Sequence, residues 1–465
     1  MYKYILLIIS LFILFLLLYF RMKFKFWREQ PVFHIYDISY YFSSNQIIMN
    51  ELPTKNKYCN FQNIVTGSSL SPLEITQFVR FIGQHYLQNG ANRYAPKAEN
   101  ILPYFLMNCA ANDANASANA NANANANGAN ANTNFFSFYQ EPELLQDVAT
   151  NTLVNSSKII SVMTSRLVTF EYTNNNKSTD KSANKRTNAY YVDYLCVDKA
   201  YRKKGIAPQM IQTHEYNQRH SNKSNDNKSN ANKSNANKSN DNKSNDNKSN
   251  DNKSNDNKSN DNKSNTPISL FKREGDLTGI VPITVYKTIA FNMKTWTTPS
   301  PLLPLVSLIE CGKTNFHFII DFLKETREKF SLLILPEFAT ILELIQTKNC
   351  FIYFLLKEHD IKAAYFFRKT CTYIEENDEV LSCYASINNC KNPDLFIHGF
   401  KVALFQIKEK YPSFQYLAIE EISNNKLLTN NLKKKNQPLL SSPTAYFFYN
   451  YISPTLNSEK VLVLI

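Results

Sequence analysis

The sequence predicts a mixed α+β fold, and three observations carry that prediction. Helix and strand patterns are mixed both before residue 200 and after residue 299. An apolar strand, Tyr194-Leu195-Cys196-Val197, runs through a basic loop into a helix from Gln209 to Arg219. The final run, Ser458-Glu459-Lys460-Val461-Leu462-Val463-Leu464-Ile465, reads as core strand with no polar tail behind it.

In chain order, Tyr4 to Phe20 is an uncharged run of 17 residues broken only by Ser10. That is the short limit for a spanning helix, roughly 17–25 residues. A cleavable signal peptide is the rival reading, but Tyr19-Phe20-Arg21-Met22-Lys23 offers no small-x-small site. Lys3 precedes the run, whereas Arg21, Lys23, Lys25 and Arg28 follow it. The positive-inside rule then places the rest of the chain in the cytosol. A single-pass membrane anchor over residues 1–22 is expected.

Leu73 to Leu87 has helical spacing, and Pro96 opens a second helix, Ala95 to Leu106. Ala110 to Asn134 is an Asn/Ala tract too polar to bury a core, expected as a disordered insertion. Strands are predicted at Phe135–Tyr139, Ile159–Thr164, Leu167–Tyr172 and 189–197, with a polar loop over 174–188. A five-residue repeat of the Asn-Lys-Ser-Asn-Asp type fills 221–265. It reads as a second solvated insertion, with an inter-domain linker as the alternative. Beyond Pro299 follow a helix at 315–329, strands at 350–356 and 361–369, a helix at 394–410, and strands at 414–419 and 444–450.

Composition narrows the function. At 465 residues two domains and a sizeable core are affordable in size. The eight cysteines form no CxxC pair, which argues against zinc and for reduced thiols in a cytosolic compartment. The net charge of +13 could suggest nucleic acid. Part of it, however, comes from the repeat, where nine Lys face six Asp, and part from the flank of the apolar run. No helix presents a basic face interleaved with aromatics, so a nucleic-acid role is disfavoured.

The strand–basic loop–helix unit is how a backbone builds a diphosphate pocket. It offers free N–H groups at a helix start, a small residue for close approach, and Arg or Lys nearby. The plainer reading of Arg202 to Lys204 is an ordinary basic helix start. The whole stretch, Tyr194-Leu195-Cys196-Val197-Asp198-Lys199-Ala200-Tyr201-Arg202-Lys203-Lys204-Gly205-Ile206-Ala207-Pro208, resembles a motif of the eukaryotic protein N-myristoyltransferases, F-L-C-V-H-K-x-L-R-x-K-R-[LV]-A-P. Tyr194 replaces Phe, Asp198 replaces His, and Gly205 replaces Arg. Phe24-Lys25-Phe26-Trp27-Arg28-Glu29-Gln30-Pro31-Val32 resembles the family's Y-x-F-W-x-T-Q-P-V. Ala445-Tyr446-Phe447-Phe448-Tyr449-Asn450-Tyr451 and Glu459 to Ile465 are similar to its Q-Y-Y-L-Y-N-W and E-K-V-G-L-V-L-Q. Weaker similarity covers roughly 23–465 outside the two insertions.

The resemblance implies two GNAT-like halves related by a pseudo-twofold axis, 23–298 binding acyl-CoA and 299–465 binding peptide. It implies a monomeric enzyme that transfers a myristoyl group from CoA to an N-terminal glycine. Myristoyl-CoA would be co-substrate, with no permanently bound cofactor and no metal. Acyl-CoA would lie against Lys25, Phe26, Trp27, Leu195, Cys196 and Val197, with its diphosphate on Arg202, Lys203, Lys204, Gly205, Ile206 and Ala207. The oxyanion donors would be the main-chain amides of Tyr194 and Leu195, and the base the terminal carboxylate of Ile465. Asp193, in place of the family's Asn, and Tyr449 would face the acceptor.

The acceptor side departs most from the family. Its Gly-Asp-Gly stretch aligns with Leu440-Ser441-Ser442, which lacks the acid, and its Tyr-Thr-Ala-Gly segment aligns poorly around Phe271-Lys272-Arg273-Glu274. Transfer to a different amine therefore stays open, as does an inactive, membrane-tethered binding protein. Phe26 and Trp27 could equally be interfacial aromatics. Cys196 reads as a small packed residue rather than a nucleophile. His34, His85, His214 and His398 show no pairing pattern and are given no role.

Overall fold

A computed structural model describes residues 2–23, 25–88, 92–105, 134–146, 153–173, 186–236, 267–275 and 278–465. Helix α1 (Tyr2–Lys23) is followed by the one-turn α2 (Lys25–Arg28), β1 (Gln46–Ile47), β2 (Ile64–Gly67) and α3 (Pro72–His85). Then come β3 (Arg93–Tyr94), α4 (Ala98–Ile101), β4 (Asn134–Gln146), β5 (Leu153–Tyr172), β6 (Thr187–Val197) and α5 (Ile206–Ala236). The chain continues with β7 (Ser269–Glu274), β8 (Thr284–Asn292), β9 (Val306–Glu310), α6 (His317–Thr326), β10 (Leu332–Pro336) and α7 (Phe338–Gln346). Next are β11 (Cys350–Lys357), β12 (Asp360–Tyr373), β13 (Glu379–Asn388), α8 (Pro393–Lys410) and β14 (Phe414–Glu420). It closes with α9 (Asn425–Leu432), β15 (Leu440–Tyr449), β16 (Tyr451–Ile452) and β17 (Val461–Val463).

The described strands make one mixed sheet of fifteen, with β1 and β16 forming a separate pair. Its main path runs β17-β10-β5-β6-β7-β15-β8-β14-β13-β12-β11-β9. Strands from before and after residue 298 interleave: β10 sits between β17 and β5, and β15 lies between β7 and β8. Strands β11 and β13 are buried along nearly their whole length, as expected where helices cover both faces. On one face, Phe396, Phe400, Ala403, Leu404 and Ile407 of α8 meet Tyr353, Tyr365 and Phe367. The other face receives Ile319, Phe322 and Leu323 of α6 and Ile341, Leu344 and Ile345 of α7.

Local chemistry explains the clearest elements. Ser71 and Glu74 form a capping box, and Pro72 takes the first helical position of α3, where its missing N–H costs nothing. Strands expected at Ile159–Thr164 and Leu167–Tyr172 are one long strand, β5, because polar Ser165 and Arg166 are satisfied by partners inside the fold. The helix expected at 95–106 is a single α-turn continued as a 3₁₀ turn at Leu102–Phe105. The repeat was expected to be a loop throughout, but α5 runs on through Ala236, since extending a helix costs far less than starting one. The rest of the repeat, and residues 110–133, lie outside the described residues.

Helix α1 exposes every side chain from Tyr2 to Phe15. Among the described residues, no helix is long and apolar enough to cross a membrane, so the expected spanning anchor is not supported. The uncharged run of α1, Tyr4 to Phe20, covers about 26 Å of helix, against a hydrocarbon core of about 30 Å.

Candidate functional site

Strand β6 organises the site. Its antiparallel ladder with β5 slips: Thr164 faces Tyr194, but Ser165 faces Val192, leaving Asp193 as the extra residue of a β-bulge. The bulge reverses which way the strand's N–H groups point. Before it, the Tyr190 N–H donates to Ile268 O on the β7 side at 2.9 Å. After it, the Asp198 N–H, eight residues on and therefore in phase, donates to Ile160 O on the β5 side at 2.9 Å. Alternation then turns the N–H groups of Leu195 and Val197 away from β5. On that edge β7 pairs β6 only at Tyr190 and Tyr191, so the parallel strands part at the bulge. Of the two expected oxyanion donors, Leu195 faces this gap, whereas the Tyr194 N–H donates to Thr164 Oγ1 at 3.2 Å.

The basic loop follows directly. Asp198 caps a 3₁₀ turn by accepting from the Ala200 N–H. Lys203 and Gly205 both take the left-handed conformation, at φ 66° and 78°. That sequence of turns wraps main-chain amides toward the start of α5, where the N–H groups of Ile206 and Ala207 have no intrahelical acceptor. Lys204 is exposed, with Nζ 4.5 Å from the centre of the Tyr201 ring. Arg202 is engaged otherwise: Nη2 donates to His85 O at 2.7 Å and Nε to Val197 O at 3.2 Å. It fastens the loop to the end of α3. Burial pushes the Cys196 thiol up to about 12 against the pull of Arg202, so it stays protonated and unreactive at neutral pH.

A charged, tyrosine-rich cluster surrounds Asp193, one of the residues expected to face the acceptor. Arg166 Nε donates to both carboxylate oxygens of Asp193 at 3.0 Å. Burial pulls that carboxyl up, and Arg166 then pulls it back. Arg368 donates to Glu420 Oε1 at 2.7 Å and to Ile465 O at 3.2 Å. Glu420 also holds Lys272 at 3.0 Å and accepts from the Tyr286 hydroxyl at 2.6 Å. Ile465 itself is buried beside Ile334 and Val463. Tyr449 is buried elsewhere, its hydroxyl donating to Gln30 Oε1 at 2.7 Å.

Phe26 packs edge-on against Trp27 and Tyr58. Trp27 stacks at 5.9 Å on Phe271 of β7, which stacks at 5.2 Å on Phe447 of β15. The neighbouring Lys25 is exposed. Among the described residues, no group of three or more His, Cys, Asp or Glu could hold a metal. A separate shallow cleft between Phe33, Tyr40 and Tyr451 shares no residue with the expected site.

Sequence reasoning missed Arg166, Arg368, Glu420 and Tyr286, and it placed Lys272 only in a poorly aligned segment. Each comes from a different strand, and only the sheet order brings them together. The buried charges on otherwise apolar strands were the available signal.

This geometry defines a mixed α/β chain with one large sheet, a bulged strand parting from its parallel neighbour, and an amide-lined loop just beyond. It is the fold of the N-myristoyltransferases. A crystal structure of Saccharomyces cerevisiae N-myristoyltransferase with bound myristoyl-CoA matches with a TM-score of 0.61 at 12% identity, over 95% of this chain and 99% of that one. A second structure of the yeast protein with bound myristoyl-CoA gives 0.62 at 11%, over 95% and 93%. A third, with inhibitors also bound, gives 0.59 at 12%, over 93% and 91%. No protein-family model matches the sequence, nor does any curated protein.

Proposed function

We propose that this chain is an acyl-CoA-dependent N-acyltransferase that moves a myristoyl group from CoA to an N-terminal glycine. The observation that carries the reading is the reversed phase of β6, which turns the Leu195 N–H toward an edge that β7 has left. A thioester carbonyl in that gap would meet a fixed donor where charge develops. The fold likeness to a yeast enzyme whose structures hold myristoyl-CoA supports the reading, as do the three ordered motifs.

The ammonium first gives one proton to the Ile465 carboxylate. The amine then attacks the thioester carbon, forming the C–N bond and an oxyanion beside the Leu195 amide, and collapse of that oxyanion breaks C–S. A second proton passes from nitrogen to the departing thiolate. Residues 23–298 bind acyl-CoA and 299–465 bind acceptor in this reading, within a monomer.

A different amine acceptor is the second reading. It is favoured by the pairing of both nearby acids, Asp193 with Arg166 and Glu420 with Lys272 and Arg368. Mass spectrometry of a glycine-ended peptide incubated with the protein and myristoyl-CoA tests the first reading. One added myristoyl group is expected, and an unmodified peptide alongside tightly bound acyl-CoA overturns it. Residues appended after Ile465 should abolish turnover and spare acyl-CoA binding.

We also place the protein on the cytosolic side of a membrane, associated through the exposed apolar face of α1. The repeat holds nine Asn-Lys-Ser sequons, from Asn222 to Asn262, which should stay unmodified in eukaryotic cells. A glycosidase-sensitive ladder of heavier species would refute that orientation.

A further inference from the structure

The direction of the Leu195 N–H depends on one extra residue in β6, and that residue is held by a single side chain of β5. Removing the bulge would restore simple alternation, and the Leu195 N–H would point into the β5 ladder. The extra residue of a bulge has no partner in the ladder, so its side-chain contacts help to set where the bulge sits. Asp193 is the bulged residue, and its carboxylate is held on both oxygens by Arg166 Nε at 3.0 Å. The guanidinium is itself confined, 5.4 Å from the Tyr104 ring centre and 5.5 Å from that of Tyr191. Arg166 is 3% exposed and Asp193 11%, so water competes little for either charge.

We infer that Arg166 is a positioning residue for acyl transfer, locking the Asp193 bulge so that the Leu195 N–H faces the thioester carbonyl. The inference rests on the proposed acyl-CoA reading. It also assigns Asp193 to the lock instead of to the acceptor's ammonium, because its oxygens already face a cation.

The test uses the full chain with myristoyl-CoA carrying ¹³C at the thioester carbonyl. Infrared difference spectra report the hydrogen bond to that carbonyl without turnover. Wild type should show a band shifted to lower frequency than free myristoyl-CoA. In Arg166→Gln the band should move back toward its free position while the donor Kd changes by less than about twofold. With a glycine-ended peptide, kcat should fall by about 10- to 100-fold at an unchanged donor KM, on the scale of a lost oxyanion donor. The Arg166→Gln/Asp193→Asn double variant, uncharged on both sides, should regain part of both signals. It also carries the comparison if the single variant fails to fold.

A folded Arg166→Gln protein with an unchanged band overturns the lock, as does a loss confined to donor KM. A shifted wild-type band without peptide acylation overturns the glycine acceptor and leaves the lock standing. Wild type that binds no acyl-CoA overturns both.

Discussion

Arg368 donates from Nη1 to a carboxylate oxygen of Ile465 at 3.2 Å, joining the long strand β12 to the residues that follow β17. Its Nη2 reaches Glu420 at 2.7 Å, so one guanidinium ties together three segments far apart in sequence. Losing Arg368 would leave the buried Glu420 with Lys272, at 3.0 Å, as its remaining cation. Arg368→Gln should therefore lower stability by about 2 kcal/mol in urea titration, the scale of a lost hydrogen bond to a charged group. Adding Glu420→Gln should recover part of that loss, whereas additive losses would show that the two side chains are not coupled.

The basic loop separates two roles that its sequence merges. Lys204→Glu places a like charge beside a bound diphosphate and should weaken acyl-CoA binding without changing the melting temperature. Arg202→Ala removes the tether to His85 O and Val197 O, so it should lower both affinity and melting temperature. Calorimetric titration and thermal melting of the two variants distinguish these outcomes. An Arg202→Ala protein of unchanged melting temperature would argue that Arg202 serves the ligand alone.

Glu215 on α5 gives a pH prediction. Burial pushes its carboxyl up to about 7, against the pull of Arg219 at 3.8 Å. The folded-state value lies above the unfolded value of about 4.3. The protonated group thus stabilises fully below about pH 4.3, and that contribution is lost as pH rises through about 7. It amounts to about 4 kcal/mol. Urea midpoints between pH 4.5 and 8 should decline less steeply in Glu215→Gln, and equal slopes would refute the assignment.

Gly399 sets how closely α8 can lie on the sheet. An added Cβ would meet the Tyr365 hydroxyl at 2.6 Å and both Leu355 methyls at 2.9 Å. Gly399→Ala should destabilise by about 1–3 kcal/mol through overpacking. Denaturant unfolding checks this, and a neutral effect would mean that Leu355 and Tyr365 repack freely.

Much of the architecture was legible because it is written locally. The helix beginning near Leu73, the strand ending at Val197 and the helix ending at Lys410 each show their signal within a few residues. The short strands β7, β9 and β10, and the short helices α7 and α9, span too few residues to stand out and become evident only through the neighbours they pair with or pack against. The loop at 198–207 was legible as an amide-rich turn before a helix. The task of Arg202 within it was not, because its acceptor on α3 lies 117 residues away.

By itself the sequence determined the α+β class, the order of motifs, the amide-lined loop and the buried, chemically quiet Cys196. Those features depend on contacts between near neighbours in the chain, which spacing and residue type report. Only the tertiary structure decided that Tyr194 spends its N–H on Thr164, that Leu195 faces the gap, and that Asp193 belongs to Arg166. Each of those outcomes follows from the register of β5 against β6. Register is a pairing between two strands, and a bulge of one residue reverses every N–H beyond it.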